Sequence, residues 1–279
     1  MYKILKRRQL APNIFELIVE APYAAKLAKP GNFVVVRVDE NGERIPLTIV
    51  SHDDISIRMI VQEIGKSTKL MAKLNEGDRL LDVVGPLGTP TDIKKVGTVV
   101  CVAGGIGIGP LIPQIIGSRA VGNEVITLMG ARSENIFILR DEVEKISDKV
   151  IYATDDGTLG YHGFVTGALK ELLDSGKKVD EVIVIGPMRM MKAVCDLTRE
   201  YKIKTIVSLN ALMVDGTGMC GCCRVNLDGE IKFSCVDGPE FDGHRVDFDE
   251  LILRQNLFLS FEKSVSDREV GGECLCREK

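Results

Sequence analysis

Residues 99–110 read VVCVAGGIGIGP. The run TVVCVA, ending at Ala103, has the composition of a strand covered on both faces. Gly104, Gly105, Gly107 and Gly109 follow at once, and Pro110 suits the first turn of a helix. Strand, glycine turn and helix start, in that order, put backbone N–H groups where a pyrophosphate can meet them. Those four glycines are therefore candidate nucleotide contacts. Their spacing departs from G-x-G-x-x-G, which points away from the standard Rossmann dehydrogenase.

Downstream, the apolar runs VITLMGA, KVIYAT and DEVIVIGP alternate with helix-like segments. That alternation predicts an α/β domain over residues 94–207, an open parallel sheet with helices on both faces. In such a sheet the ligand crevice lies outside the carboxyl ends of the strands. Arg132, Asp155, Gly186 and Pro187 fall there and join the candidate site. Arg132 can touch an adenosine ribose or a 2′-phosphate, or simply end a strand at the surface. Asp155 can equally cap a turn.

Upstream, residues 1–93 read as all-β. Phe15, Leu17 and Val19 alternate with Glu16 and Glu20, the period of a half-buried strand. Pro30-Gly31 marks a turn and Asn41-Gly42 a hairpin. Six or so short strands with this punctuation predict a small β-barrel. Three motifs sit on it in order. Arg44-Ile45-Pro46-Leu47-Thr48 begins a strand, Gly65-Lys66-Ser67-Thr68 offers amides and hydroxyls to a diphosphate, and Gly85-Pro86-Leu87-Gly88 closes the barrel.

Beyond the sheet, residues 208–258 hold a glycine-rich cysteine loop, a hairpin-like segment and a closing helix over 246–258. Cys220, Cys223 and Cys235 are spaced C-x2-C-x11-C. A plant-type [2Fe–2S] loop runs C-x4-C-x2-C…C. Here Asp215 stands in the first of those places. Three thiolates and one carboxylate can thus hold a two-iron cluster. Zinc is the rival, because C-x2-C fits it too. The glycine density and the electron-donating domains ahead of the loop favour iron–sulfur. Cys222, adjacent to Cys223, is read as a non-ligand.

The chain has 279 residues, 45% hydrophobic and 27% charged, with net charge −4. That suits a soluble chain of about two domains with a small third. No polybasic stripe invites nucleic acid. No apolar run reaches membrane-spanning length, and MYKILKRRQL lacks the apolar core of a signal peptide. The expected location is cytoplasmic. Of eight cysteines, Cys101 and Cys195 read as core thiols. Cys274 and Cys276 read as loose thiols on a polar tail, 259–279.

The order RxPLT, GxST, GPLG, GGIGIGP, a strand ending in GP and a terminal cysteine loop resembles the ferredoxin–NADP reductase superfamily. The terminal cluster narrows the likeness to the branch of dihydroorotate dehydrogenase electron-transfer subunits. Asp215 within VDGTGMCG makes the chain most similar to the small subunits of NADH-dependent reduced ferredoxin:NADP oxidoreductases, also called sulfide dehydrogenase subunit beta. The likeness covers nearly the whole chain to about residue 258. It implies FAD held by Arg44, Pro46, Leu47 and Thr48, with Gly65, Ser67 and Thr68 near its diphosphate. It implies NAD(H) on the α/β domain near Gly104–Gly109, and Asp215, Cys220, Cys223 and Cys235 as ligands of [2Fe–2S]. It implies no catalytic side chain, since the cofactors carry the chemistry. It further implies a larger flavoprotein and iron–sulfur partner subunit, reaching ferredoxin through that partner, in flavin-based electron bifurcation. The alternatives are the electron-transfer subunit of an NAD-dependent dihydroorotate dehydrogenase and a zinc-stabilised nucleotide-binding module.

Overall fold

The computed structural model describes residues 1–257. The tail from residue 259, with Cys274 and Cys276, lies outside them.

The N-terminal part contains β1 (Tyr2–Ala11), β2 (Ile14–Glu20), α1 (Pro22–Leu27), β3 (Phe33–Arg37), β4 (Arg44–Thr48), β5 (Ser51–His52), β6 (Ser56–Gln62), α2 (Lys66–Ala72), β7 (Arg79–Leu80) and β8 (Asp82–Leu87). The strands form two antiparallel sheets, ordered β5-β6-β2-β1-β7 and β4-β3-β8. Phe15, Leu17 and Val19 point into one core with Val34, Val36, Ile57 and Met59. Glu16 departs from the expected alternation, since it too is buried. The reason is charge pairing: Arg58 reaches its carboxylate at 2.5 Å and Arg8 at 3.2 Å. Asn41-Gly42 does not make a two-residue turn. β3 and β4 do pair, Arg37 opposite Arg44, but the loop spans 38–43 and Gly42 N–H bonds to the Asp39 carbonyl.

Next come β9 (Thr98–Gly104), α3 (Ile108–Ala120), β10 (Glu124–Ala131), α4 (Arg140–Ile146), β11 (Lys149–Thr154), β12 (Tyr161–His162), α5 (Val165–Asp174), β13 (Glu181–Ile185), α6 (Met188–Glu200) and β14 (Lys204–Ser208). The sheet order is β12-β11-β10-β9-β13-β14, all parallel, with one further strand from the C-terminal lobe beside β14. Every residue of β9 is buried, as the unbroken apolar run requires. The connections reverse direction on either side of β9. The topological switch point therefore lies between β9 and β13.

The C-terminal lobe carries β15 (Arg224–Leu227), β16 (Glu230–Phe233), β17 (Glu240–Asp242) and α7 (Phe248–Asn256). β15 and β16 are joined through Asp228 and Gly229, both at positive φ, the backbone of a type I′ turn. α7 starts later than the sequence suggests, because the Asp247 carboxylate caps it by accepting from Glu250 N–H at 2.9 Å. β17 runs antiparallel along β14, so the lobe supplies an edge strand to the nucleotide sheet. Cys223, Cys235, Val225 and Leu227 share one core with Val102 and Val184 of that sheet and with Phe33 and Val35 of the barrel.

Among the described residues, no helix is long and apolar enough to cross a membrane.

Candidate functional site

The glycine turn after β9 divides its labour. A Cβ on Gly104 would lie 2.5 Å from Met190 Sδ, one on Gly107 2.2 Å from the Ile185 carbonyl, and one on Gly186 3.0 Å from the Gly104 backbone. These three glycines let the ends of β9 and β13 close on each other. Gly109 serves a different joint, packing on Ile60 and Val50 of the barrel. Only Gly105, at φ +54°, faces open space. The sequence suggests that all four glycines approach a ligand. The structure gives Gly104, Gly107 and Gly109 protein neighbours and leaves Gly105 as the open backbone at the switch point.

Pro187 and Arg132 are exposed beside this crevice, as is Asp155. The ends of β10 and β11 are laced together. Asp155 N–H donates to the Ala131 carbonyl at 3.1 Å, and Asp156 N–H to the Arg132 carbonyl at 3.2 Å. Arg132 and Asp155 therefore stand side by side.

On the barrel, Arg44, Pro46, Leu47 and Thr48 lie along β4, the edge of the three-stranded sheet. Pro46 is tolerated there because an edge strand has an N–H to spare. Gly65 opens α2, and a Cβ there would meet nothing within 4 Å. The hydroxyls of the next residues already have work. Ser67 donates to Glu43 at 3.0 Å, while Thr68 Oγ1 accepts from the N–H groups of Ile64 and Gly65 at 2.9 and 3.1 Å. Thr68 therefore acts first as a helix cap, a task the sequence reading did not give it.

The cysteine loop arranges its four candidate ligands as two pairs. Cys223 and Cys235 are buried with their Sγ atoms 3.2 Å apart. Asp215 and Cys220 form the outer pair. The Asp215 carboxylate accepts from Thr217 N–H at 2.8 Å and Cys220 N–H at 2.9 Å. Those amides, Thr217 foremost, hold its carboxyl below the usual carboxylate range. The Cys222 N–H likewise holds the exposed Cys220 thiol down, favouring the thiolate that binds metal. Burial, and then the neighbouring Cys223, push the Cys235 thiol up to about 12. Among the described residues, no three His, Cys, Asp or Glu side chains surround a single point as one metal ion requires.

The surroundings fit a bulky group with sulfur acceptors. Gly216, Gly218 and Gly221 all adopt positive φ, so the loop can curve where other residues would strain. Ser234, between Phe233 and Cys235, is wholly buried, yet among the described residues its hydroxyl has no hydrogen-bond partner. Leaving a buried hydroxyl unpaired costs about 1–3 kcal/mol. The unpaired hydroxyl and the paired buried thiols together match a [2Fe–2S] cluster better than an empty apolar loop.

The loop also has a seat on the barrel. A Cβ on Gly216 would lie 2.7 Å from Leu87 Cδ1 and 3.1 Å from Val35 Cγ2. Val35 pairs directly with Pro46 on β4. One strand therefore separates the cysteine loop from the Arg44–Thr48 strand. The end of the GPLG segment is tied down too: Thr89 Oγ1 donates to the Val236 carbonyl at 2.9 Å.

Two further sets of residues, unreadable from local sequence, hold this assembly. Glu240 on β17 accepts from Thr91 Oγ1 at 2.8 Å and from Gln114 Nε2 on α3. Among the described residues no cation pairs with it, and burial pushes its carboxyl up to about 7. Arg58 on β6 pairs with Glu16 and, through both terminal nitrogens at 2.8 and 3.0 Å, with Glu142 on α4. An open groove beside this pair, lined by Arg8, Leu10, Phe137 and Lys145 among others, contains none of the candidate site residues.

Comparison with known proteins agrees with this layout. Residues 210–247 match the iron–sulfur cluster binding domain of dihydroorotate dehydrogenase B, and residues 101–196 match the oxidoreductase NAD-binding domain. The chain is 44% identical to a dihydroorotate dehydrogenase B (NAD(+)) electron transfer subunit homolog of Thermotoga maritima, over 95% of this chain and 94% of that one. It is 36% identical to a probable electron transfer subunit of the same enzyme from Methanocaldococcus jannaschii, over 85% and 90%. A solved structure of an NADH-dependent reduced ferredoxin–NADP oxidoreductase, described for flavin-based electron bifurcation, superposes with a TM-score of 0.91 at 42% identity, over 97% and 98%. These likenesses span the barrel, the nucleotide sheet and the cysteine lobe together. The chain belongs to the family of dihydroorotate dehydrogenase B-type electron-transfer subunits, oxidoreductase subunits of the ferredoxin–NADP reductase superfamily that work with FAD, NAD(H) and a [2Fe–2S] cluster.

Proposed function

We propose that this chain is the small subunit of an NADH-dependent reduced ferredoxin:NADP oxidoreductase, passing electrons between NAD(H) and a larger flavoprotein subunit in flavin-based bifurcation. The observation that carries this reading is the seat of the cysteine loop on Val35 and Leu87, one strand from Arg44–Thr48. When bound, FAD and the cluster supply the conversion between two-electron and one-electron transfer. The chain's own part is to bind, space and shield them.

Arg44, exposed on β4 and without an ion pair among the described residues, offers a free guanidinium to a phosphate. Pro46, Leu47 and Thr48 shape the edge on which the flavin rests, and Gly65 leaves room for its diphosphate. Ser67 and Thr68 act there mainly by fixing α2. Gly105 offers open backbone to the nicotinamide nucleotide, while Gly104, Gly107, Gly186 and Pro187 hold the crevice closed beneath it. Arg132 and Asp155 meet the adenosine half. Asp215, Cys220, Cys223 and Cys235 would hold the cluster, which supplies one-electron transfer when bound. Leu212, Val214, Met219 and Val236 are exposed around this loop, with Met219 at 90%. That apolar rim, beside the exposed Cys220, is where the larger subunit docks. Ferredoxin is reached through that subunit. A cytoplasmic location suits the free thiols.

The second reading, an electron-transfer subunit for dihydroorotate oxidation, draws support from the names of the relatives. Asp215 favours the first, because the four-cysteine pattern has a thiolate there. Tagging the chain in its native host and purifying its complex separates the two. We expect a larger flavin- and iron–sulfur-containing partner, and NADPH oxidation that requires both ferredoxin and NAD+. Flavin reduction by dihydroorotate, with no response to NADPH, would instead select the second reading. Zinc without iron, flavin or sulfide would leave the nucleotide-binding module.

A further inference from the structure

The Ser234 hydroxyl is wholly buried and, among the described residues, unpartnered, and the mechanism above does not use it. Its backbone is firmly placed. Ser234 N–H donates to the Cys223 carbonyl at 3.0 Å, so the residue lies opposite one candidate ligand and next to another, Cys235. From the far side, a Cβ on Gly238 would come within 3.1 Å of the Ser234 carbonyl, so the backbone is hemmed in. Water cannot supply the missing partner, because the hydroxyl oxygen has no accessible surface. Among the described residues no atom accepts from it, the Cys223 and Cys235 thiols included, so the missing acceptor must come from a group bound between those ligands. Cys223 and Cys235, with Sγ atoms 3.2 Å apart, flank this residue in the fold.

We propose that the Ser234 hydroxyl donates a hydrogen bond to a sulfide of the [2Fe–2S] cluster and so raises its reduction potential. This rests on the reading of Asp215, Cys220, Cys223 and Cys235 as cluster ligands. The physics is electrostatic. Reduction adds one negative charge, and a donor fixed at sulfur stabilises the more negative state. In a dry site that donor keeps its strength, because no water competes for it. Ser234 is a positioning residue in this sense: it ligates nothing and transfers nothing.

The test is a redox titration of the holo-protein followed by EPR, comparing the native chain with Ser234→Ala and Ser234→Thr. Ser234→Ala removes one oxygen and keeps the backbone bond to Cys223. We expect its reduced fraction at a fixed ambient potential near the midpoint to give a reduced-to-oxidised ratio about tenfold lower, a midpoint about 59 mV more negative for a one-electron couple. Ser234→Thr keeps the hydroxyl and should restore the native midpoint. After exchange into deuterated water, pulsed EPR of the reduced native protein should also show a deuteron coupling that Ser234→Ala lacks. A full cluster signal in Ser234→Ala at an unchanged midpoint, with the same deuteron couplings as the native chain, overturns the proposal. If Ser234→Ala does not assemble a cluster, a Ser234→Thr midpoint shifted as far as a tenfold change in ratio overturns it instead. If the native chain itself yields no [2Fe–2S] signal, with iron and sulfide absent, it is the ligand reading that fails.

Discussion

In the proposed ligand set, Asp215 is the residue that sets the character of the cysteine loop. A carboxylate in place of a thiolate changes both the ligand field and the net charge of the cluster, and both act on potential. We expect Asp215→Cys to retain iron and sulfide but move the midpoint by at least about 59 mV, a tenfold change in the one-electron equilibrium. Redox titration of the variant checks this, and coincident midpoints would refute it. Glu240 makes a second residue-scale prediction. Its folded-state carboxyl titrates at about 7 rather than near 4.5. The folded protein therefore binds this proton more tightly than the unfolded chain. The resulting stabilisation is full below the ordinary glutamate value and is lost as pH rises through about 7, a slope of about 1 kcal/mol per pH unit between the two. Glu240→Gln should remove that slope. Denaturant unfolding of both proteins from pH 5 to 8 checks it, and parallel pH profiles would contradict it.

At the scale of elements, the joint between β9 and β13 controls the crevice. Gly107→Ala places a methyl 2.2 Å from the Ile185 carbonyl and must push β13 away. We expect a loss of about 3 kcal/mol in stability, with impaired flavin reduction by NADH. Gly105→Ala meets no neighbour and costs only the left-handed backbone, roughly 1 kcal/mol. Thermal unfolding beside stopped-flow flavin reduction separates the two, and equal losses would show that the glycines share one task. Much of this level was legible in the sequence. The run 99–103 is uniformly apolar, and GGIGIGP follows it directly. Local composition alone places a strand, a turn and a helix there. What each glycine packs against was not legible, because Met190 and Ile185 reach the turn only through the strand crossover. Thr68 as a cap was missed for a milder reason. GKST reads equally well as a phosphate-binding segment or as a helix start until α2 is in place.

For the whole molecule, two long-range devices orient the lobes. The Arg8–Glu16–Arg58–Glu142 chain of charges joins barrel to nucleotide sheet, and β17 joins the cysteine lobe to that sheet. Arg58→Met strands buried Glu16 with Arg8 alone and leaves Glu142 unpaired, which should cost about 3 kcal/mol. Glu142→Gln, whose side chain is 34% exposed, should cost less than about 1 kcal/mol. Urea midpoints of the two variants check the ranking, and the reverse order would place the anchor elsewhere. Neither device shows in the sequence. Arg58 finds partners 42 residues before it and 84 after it, and nothing local marks that choice. The proposed ligands Asp215, Cys220, Cys223 and Cys235, by contrast, lie within one loop, so their spacing is visible in the sequence itself.

All of these scales meet in one claim, that reducing equivalents cross from NADH through the barrel to the Asp215–Cys235 loop. Anaerobic titration of the holo-protein with NADH, followed by visible absorbance and EPR together, tests it directly. The flavin band should bleach, and the signal of a reduced [2Fe–2S] cluster should grow as NADH is added. A flavin that bleaches fully while iron and sulfide are absent, or while an assembled cluster stays oxidised at potentials well below its own midpoint, would contradict it.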